Sequence, residues 1–253
     1  MNDNTRRFDG KGRLYDSVRQ GYVGGLYSHI AALFGNDEIT VADIGSGTGK
    51  LTEELLGMGY TVYGVEPNAD MRSVAEEKLA GYDRFVSVSG TADNTGLPDG
   101  SVDLVTAAQA FHWFDAVTFA AECRRILRDD GYSAIIYNLR DTEKPIVPAM
   151  ADIYYRFSPE FRGFSNGMSE EKCKAFFGGD CDVVRFPNDA VYDRERFFER
   201  MDSSSYAPKA NDPSRDDFRK AVDELFNRFG SDGKVVFPSY NVAFIGKRDA
   251  IKW

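Results

Sequence analysis

The sequence predicts an α/β protein built on a doubly wound, parallel sheet. Short β-branched segments alternate with helical segments between residues 39 and 137. A glycine-rich loop follows the first of these strands, and an acidic residue ends the second. Strands that alternate with helices pair in parallel, because each crossover returns the chain to the same end of the sheet. We therefore expect a ligand crevice at the carboxyl ends of the strands.

Hydrophobic periodicity assigns the individual elements. Helices are predicted over residues 23–34, 51–58, 68–79 and 114–127, and strands over residues 39–44, 60–65, 85–88, 102–106 and 133–137. The loop at 90–100 is predicted to have an exposed Leu97-Pro98 tip, and Asp129-Asp130-Gly131 is predicted to be a turn.

The alternation changes after Asn138. Residues 141–180 combine three prolines with spaced aromatic residues, which predicts a helical insert. This insert either caps the crevice at the carboxyl edge or forms a satellite core. A strand at 181–186, helices at 194–201 and 218–229, and a closing strand at 234–247 are predicted to follow.

Composition limits the classes of partner and of compartment. The net charge of −9 argues against a surface that follows nucleic acid. Two histidines and three cysteines form none of the usual zinc motifs, so no metal is predicted. The beginning of the chain lacks the apolar core of a signal peptide, and no segment has the length of a membrane span. A cytoplasmic protein with reduced thiols and no membrane insertion is expected.

The loop Gly45-Ser46-Gly47-Thr48-Gly49 suggests a cofactor site. Alternating glycines let the backbone adopt positive φ, and a ligand can lie against the main chain beside the following helix N-terminus. This geometry suits a nucleotide-like cofactor. The structural alternative is an ordinary βα turn that tolerates glycine.

Glu66 ends the second strand, in the segment Val65-Glu66-Pro67-Asn68. A carboxylate at this point faces the same crevice as the glycine loop and can accept both hydroxyls of a ribose. Asn68 is predicted to cap the next helix.

The glycine spacing does not fit the G-x-G-x-x-G pattern of nicotinamide enzymes, and Leu51 after Lys50 excludes a P-loop.

These motifs together resemble class I S-adenosylmethionine-dependent methyltransferases, in particular the small-molecule branch that includes ubiquinone/menaquinone and trans-aconitate methyltransferases. The segments that carry the resemblance are 41–49, 65–68 with Met71, 97–105 and 126–131. It extends from Tyr15 to about Lys247. It implies one domain over 1–253 with an N-terminal arm and helix at 1–36, and a Rossmann-like, seven-stranded sheet with helices on both faces and an antiparallel last strand.

The resemblance also implies a set of site residues for S-adenosylmethionine. Those near the cofactor are Tyr15, Arg19, Asp43, Gly45, Ser46, Gly47, Thr48, Gly49, Glu66, Pro67, Asn68, Met71, Thr91, Ala92, Gln109, Ala110 and Trp113. Asp43 binds the cofactor's amino group through water or only fixes the loop. Many relatives have an acid where this chain has Thr91, and Asp93 either substitutes for it or is solvated.

The function implied is methyl transfer to a small-molecule acceptor by in-line displacement. A weakly acidic hydroxyl acceptor requires a base, for which His112 is the candidate, whereas an amine or a carboxylate requires none. His112 is alternatively a structural histidine. Two other functions stay open, a non-catalytic regulator that binds S-adenosylmethionine and, less favoured, a nicotinamide-dependent oxidoreductase.

Overall fold

The computed structural model describes residues 21–35, 37–164, 168–204, 206–209 and 211–253. The chain divides into two compact units. The first unit holds the described parts of Met1–Tyr137, Gly167–Phe186 and Asn241–Trp253, and the second holds those of Asn138–Asn166 and Pro187–Tyr240.

The secondary structure follows the predicted alternation. The strands are β1 (Thr40–Ile44), β2 (Thr61–Val65), β3 (Phe85–Val88), β4 (Val102–Ala108), β5 (Leu127–Arg140), β6 (Asp182–Pro187), β7 (Ala190–Tyr192), β8 (Val235–Phe237) and β9 (Ser239–Lys247). The α-helices are α1 (Gly24–Leu33), α2 (Lys50–Gly57), α3 (Ala69–Leu79), α4 (Ala116–Ile126), α5 (Ile146–Phe157), α6 (Glu170–Phe176), α7 (Arg194–Asp202) and α8 (Arg215–Phe229).

Seven of the described strands form one sheet in the order β3-β2-β1-β4-β5-β9-β6. The pairs β1 with β2, β1 with β4, β2 with β3 and β4 with β5 are parallel, and the last strand is antiparallel. The predicted fold class is thus confirmed. Ile44 pairs with Val65, so β1 and β2 end at the same level and their following loops lie side by side.

Two predicted boundaries are wrong. Residues 129–131 belong to the long strand β5 and do not form a separate turn, and the register between β4 and β5 shifts between Val102 and Leu104. The closing strand at 234–247 is interrupted at Pro238, which has no N–H to donate to a ladder. β8 before it pairs with β7 in a separate two-stranded sheet, and β9 after it joins the main sheet.

The core of the first unit packs α1, α2 and α3 against the sheet. Leu26 and Ile30 of α1, Leu55 of α2 and Leu79 of α3 are fully buried with Val41 of β1. Helical spacing in the sequence placed these apolar residues on one face of each helix, and burial of that face stabilises the unit.

The second unit has its own core, formed by α5, α7, α8 and the β7–β8 pair. Tyr154 and Phe161 are buried in it, and the Tyr154 hydroxyl donates to the Met201 carbonyl at 2.7 Å. The segment 141–180 therefore contributes α5 to this unit and α6 to the first. The burial of Tyr154 and Phe161 is the packing expected of a satellite core, and a capping role for this segment stays a prediction.

Candidate active site

The glycine loop connects β1 to α2 with three residues at positive φ. The φ angles are 70° at Gly45, 58° at Gly47 and 75° at Gly49. The N–H groups of Gly45 and Ser46 both donate to the Val65 carbonyl, at 2.8 and 3.2 Å. The loop is thereby attached to the end of the neighbouring strand β2.

Gly45 and Gly47 serve different purposes within this loop. A Cβ atom at Gly45 would lie 2.8 Å from the Cβ of Ala110 and 3.2 Å from the Cζ of Phe114. Among the described residues, a Cβ atom at Gly47 would meet only the Met71 Cε, at 3.7 Å, which is an ordinary van der Waals contact. Gly45 therefore allows the segment after β4 to pack against the loop, whereas a Cβ atom at Gly47 would make no close contact with the described residues.

Asp43 is buried at the end of β1, below the loop. It accepts hydrogen bonds from the Thr52 hydroxyl at 2.7 Å and from the Thr106 hydroxyl at 2.8 Å. Burial raises the pKa of this carboxyl above its ordinary value, although the two hydroxyl donors oppose the rise. Asp43 therefore links β1 to α2 and β4. Its contact with a cofactor through water stays a prediction.

Asp43→Asn is expected to become more stable relative to the wild type as the pH rises above about 4. The folded-state pKa of Asp43 is raised, so ionisation destabilises the folded protein and the wild type loses stability as the pH passes through that pKa. Asparagine fits, since its oxygen can accept from one threonine while its nitrogen donates to the other. Urea unfolding across the acidic to neutral range measures the difference.

The control is Asp115→Asn, for which the opposite sign is expected. Asp115 is exposed and caps α4, and the hydrogen bonds from Thr118 lower its pKa. That variant should lose stability relative to the wild type as the pH rises. Parallel pH profiles for Asp43→Asn and the wild type would contradict the assignment of a raised pKa to Asp43.

Glu66 is the carboxylate that joins the glycine loop to the loop after β2. Its Oε2 accepts the backbone N–H of Gly47 at 3.0 Å, and its Oε1 accepts the backbone N–H of Asn68 at 2.8 Å. The side chain is buried, which raises the pKa of Glu66 above its ordinary value. The two backbone donors and the Arg72 guanidinium oppose this rise and favour the ionised form.

The start of α3 confirms the predicted helix cap. The Asn68 side-chain oxygen accepts the Met71 N–H at 3.0 Å, so Asn68 is the N-cap. The Arg72 guanidinium donates to the Glu66 carbonyl at 2.9 Å. Both bonds hold the segment from Glu66 to Met71 in one conformation beside the glycine loop.

Thr91 and Ala92 lie in a turn after β3, in which Thr91 and Asn94 exchange backbone hydrogen bonds of 3.0 and 3.2 Å. A Cβ atom at the preceding Gly90 would lie 3.0 Å from Val65, so the turn adjoins the end of β2. Asp93 is exposed, as expected of a solvated side chain.

A polar network that the sequence analysis missed supports this turn. Glu122 on α4 accepts the Thr95 N–H at 2.8 Å and the Thr95 hydroxyl at 2.6 Å, and it pairs with Arg125 at 2.7 Å. Desolvation raises the pKa of Glu122, but these hydrogen bonds together hold it below its ordinary value. Leu97 is 6% exposed, so the prediction of an exposed Leu97 was wrong, whereas Pro98 beside it is exposed as predicted.

The segment after β4 forms a short 3-10 helix, Phe111–Trp113. It begins after Gln109, which has a φ of 55° although it is not glycine. A left-handed conformation at such a residue costs of the order of 1 kcal/mol and often marks a functional site. The rings of His112 and Trp113 lie 4.5 Å apart between centroids. Gln109, Ala110 and Trp113 thus follow β4 directly at its carboxyl end.

His112 contacts Tyr137 of β5 at two of its atoms. The His112 backbone N–H donates to the Tyr137 hydroxyl at 3.0 Å, and the His112 Nδ1 lies 3.2 Å from the same oxygen. Burial raises the pKa of the Tyr137 hydroxyl well above its ordinary value, so the phenol keeps its proton. This contact gave no signal in the sequence.

The structure thus brings most of the predicted residues to the carboxyl ends of β1, β2, β3 and β4. Predicted residues Tyr15 and Arg19 lie outside the described part of the chain. Within the described ranges, no group of histidine, cysteine and acidic residues is suited to hold a metal ion. A search of the same residues finds no helix with the length and apolar character of a membrane span.

Comparison with known proteins agrees with this geometry. Residues 42–135 match a family described as a methyltransferase domain. An uncharacterized methyltransferase of Mycobacterium tuberculosis is 38% identical over 116 residues, which cover 46% of this chain and 46% of that protein. The chain therefore matches about half the length of this relative. An uncharacterized methyltransferase of Schizosaccharomyces pombe is 26% identical over 242 residues, covering 92% of this chain and 94% of its own.

A solved structure assigned to a type II methyltransferase from Anaeromyxobacter dehalogenans has the same fold. Its TM-score is 0.68 with 20% sequence identity, and the similarity covers 91% of this chain and 98% of that one. The sheet order, the glycine loop and the carboxylate after β2 define a Rossmann-like methyltransferase fold. The match over residues 42–135 and the relatives named as methyltransferases support a class I S-adenosylmethionine-dependent methyltransferase. The methyltransferase domain match supports S-adenosylmethionine-dependent methyl transfer in general.

Proposed function

We propose that the protein transfers a methyl group from S-adenosylmethionine to a small-molecule acceptor by in-line displacement. The observation that carries this proposal is the hydrogen bonding of Glu66 to the Gly47 and Asn68 N–H groups. An ionised carboxylate has about four acceptor positions, and these two bonds use half of them. Glu66 therefore retains acceptor capacity on both oxygens for the two hydroxyls of a ribose.

The residues around Glu66 fit the rest of this cofactor. The absence of a side chain at Gly47 leaves room against the main chain, since among the described residues a Cβ atom there would meet only Met71, at 3.7 Å. Gly45 to Gly49 would hold the methionine portion, Asn68 and Met71 would flank the adenine, and Thr91 with Ala92 would border its edge. When bound, the cofactor supplies an activated methyl group on a sulfonium.

The protein's own contribution would be alignment and exclusion of water. Gly45 and Ser46 bond to Val65, and Asp43 bonds to the threonines of α2 and β4, so the loop is held in place before any ligand arrives. A preorganised site lowers the entropic part of the barrier to displacement. Gln109, Ala110 and Trp113 would form the wall on which the acceptor lies.

The acceptor class and the compartment also belong to this proposal. A net charge of −9 disfavours a nucleic acid acceptor, which supports a small molecule. The three cysteines are free thiols, which agrees with a reducing cytoplasm. A non-catalytic regulator would bind the same cofactor but form no product. Labelled product formed from methyl-labelled S-adenosylmethionine therefore distinguishes a methyltransferase from such a regulator.

Titration calorimetry is expected to show binding of S-adenosylmethionine and of S-adenosylhomocysteine, and none of NAD. The physical reason is the glycine spacing, because Gly45, Gly47 and Gly49 do not reproduce the G-x-G-x-x-G turn that holds a pyrophosphate. Heat of binding with NAD alone would overturn the proposed function in favour of an oxidoreductase.

A further inference from the structure

The Arg72 side chain lies near the start of α3 and reaches back to the end of β2. Its Nη1 donates to the Glu66 carbonyl at 2.9 Å and to the Pro67 carbonyl at 3.4 Å. The side chain is 20% exposed, so these contacts are largely shielded from water. One guanidinium nitrogen thus bridges the two carbonyls that follow the strand.

These contacts take over where the backbone bonding of the strand ends. The Glu66 N–H donates to the Val88 carbonyl of β3 at 3.0 Å. The Glu66 carbonyl accepts from the Arg72 side chain, and the next residue, Pro67, has no N–H to donate. The backbone of Glu66 is therefore fixed on both sides, by β3 and by Arg72.

A fixed backbone at Glu66 also fixes the direction of its carboxylate. The carboxylate accepts the Gly47 N–H at 3.0 Å and the Asn68 N–H at 2.8 Å. A backbone rotation that moved the carboxylate away from these donors would also move the Glu66 carbonyl away from Arg72. Arg72 itself bonds to backbone carbonyls and uses none of the acceptor positions of the carboxylate.

Arg72 acts on Glu66 through its charge as well. The strongest charged influences on this carboxylate are Arg72 of α3 and Asp43 of β1. The guanidinium lowers the pKa of Glu66, whereas burial and Asp43 raise it. Glu76 pairs with Arg72 at 3.7 Å but is half exposed, so this pair offsets little of the charge. Arg72 therefore favours the ionised Glu66, which has acceptor positions on both oxygens.

We propose that Arg72 is a positioning residue of the cofactor site, which holds the Glu66 carboxylate in place as the acceptor for the two ribose hydroxyls. The identity of the ligand rests on the proposed function, whereas the geometry rests on contacts within the protein. A direct ion pair would fix the carboxylate too, but it would occupy the oxygens that the ribose needs. The bond to the Glu66 carbonyl leaves them available.

A double-mutant cycle tests whether Arg72 acts through Glu66. Arg72→Met is expected to weaken the binding of S-adenosylhomocysteine about 5-fold to 30-fold, which is the effect of about one hydrogen bond. In a Glu66→Ala background the same change should alter the affinity less than about twofold, because the carboxylate that Arg72 positions is gone. Equal losses in the two backgrounds would overturn the proposal.

Lys78→Met is the matched control. Lys78 is another cation of α3, is 22% exposed and pairs with Glu53 of α2 at 2.8 Å. Its removal is expected to change the affinity less than about twofold. Arg72→Lys keeps the charge but not the planar fork of donors, so its affinity should lie between those of the wild type and Arg72→Met. A loss in Lys78→Met as large as in Arg72→Met would contradict a specific role for Arg72.

Carbon NMR of labelled glutamate carboxyl groups gives a readout in the ligand-free protein. The Glu66 signal is the one that disappears in Glu66→Gln. Loss of the Arg72 charge is expected to raise the pKa of Glu66, so in Arg72→Met this carboxyl takes up its proton at a higher pH than in the wild type. Lys78→Met should leave the titration unchanged. An unchanged titration in folded Arg72→Met would contradict the proposal.

These measurements separate the inference from the proposed function. If the wild type bound neither S-adenosylmethionine nor S-adenosylhomocysteine, the proposed function would fail, and the ligand-free titration would still decide whether Arg72 controls Glu66. If Arg72→Met does not fold, Arg72→Gln takes its place, since it loses the charge and keeps a donor. The same rise in the pKa of Glu66 is expected in that variant.

Discussion

Glu66→Ala is expected to weaken the binding of S-adenosylmethionine by about 2–4 kcal/mol, because hydrogen bonds to an ionised acceptor are worth about 1.5–3 kcal/mol each. This corresponds to a loss in affinity of about 30-fold to 700-fold. Part of the loss arises within the protein, since the Gly47 and Asn68 N–H groups lose their acceptor. Titration calorimetry on the folded variant measures the effect.

Glu76→Ala is the matched control for this prediction. Glu76 lies on the exposed side of α3, where it pairs with Arg72 at 3.7 Å and accepts from Ser87 at 2.6 Å. The Glu76→Ala variant loses the same charge near the same helix, but the change does not touch the glycine loop. Surface ion pairs contribute little, so the affinity for S-adenosylmethionine is expected to change less than about twofold. Equal losses in the two variants would show that Glu66 acts through general charge and not through the ribose.

Gly45→Ala is expected to lower the free energy of unfolding by about 2–5 kcal/mol. The positive φ costs an alanine about 1–2 kcal/mol, and overpacking adds about 1–3 kcal/mol. The overpacking arises because the new Cβ would lie 2.8 Å from Ala110 and 3.2 Å from Phe114. Urea unfolding of the purified variant tests this value.

Gly59→Ala separates the two costs. Gly59 has a φ of 87°, but a Cβ atom there would meet no atom of the described residues within 4 Å. This variant should therefore lose only about 1–2 kcal/mol, from the backbone conformation alone. A loss as large as that of Gly45→Ala would mean that the contact with Ala110 and Phe114 is not tight in solution.

The strand, glycine loop and helix at 40–57 were predictable because the information is local. Helical and strand periods repeat within a few residues, and the positive φ angles at Gly45 and Gly47 require residues that the sequence displays directly. The position of Glu66 was also predictable, because parallel strands end at one edge of the sheet. The Asn68 cap followed from its own residue type.

Other features depend on residues far apart in the chain. The Thr95 to Glu122 contact joins positions 27 apart, the Asp43 to Thr106 bond joins positions 63 apart, and the His112 to Tyr137 contact joins positions 25 apart. None of these contacts can be predicted from sequence periodicity, because each residue fits the helix, strand or loop pattern of its own segment and that pattern does not identify a distant partner. The burial of Leu97 was missed for the same reason.

The local sequence thus specified the order of elements, the cofactor loop and the carboxylate beside it, since each depends on periodicity or on the conformational range of single residues. The tertiary structure decided the rest. It divided the closing strand at Pro238 between two sheets, raised the pKa of Asp43 through burial, and placed His112 beside the Tyr137 hydroxyl. Those properties depend on burial and on which groups face each other across the fold, and only packing in three dimensions determines both.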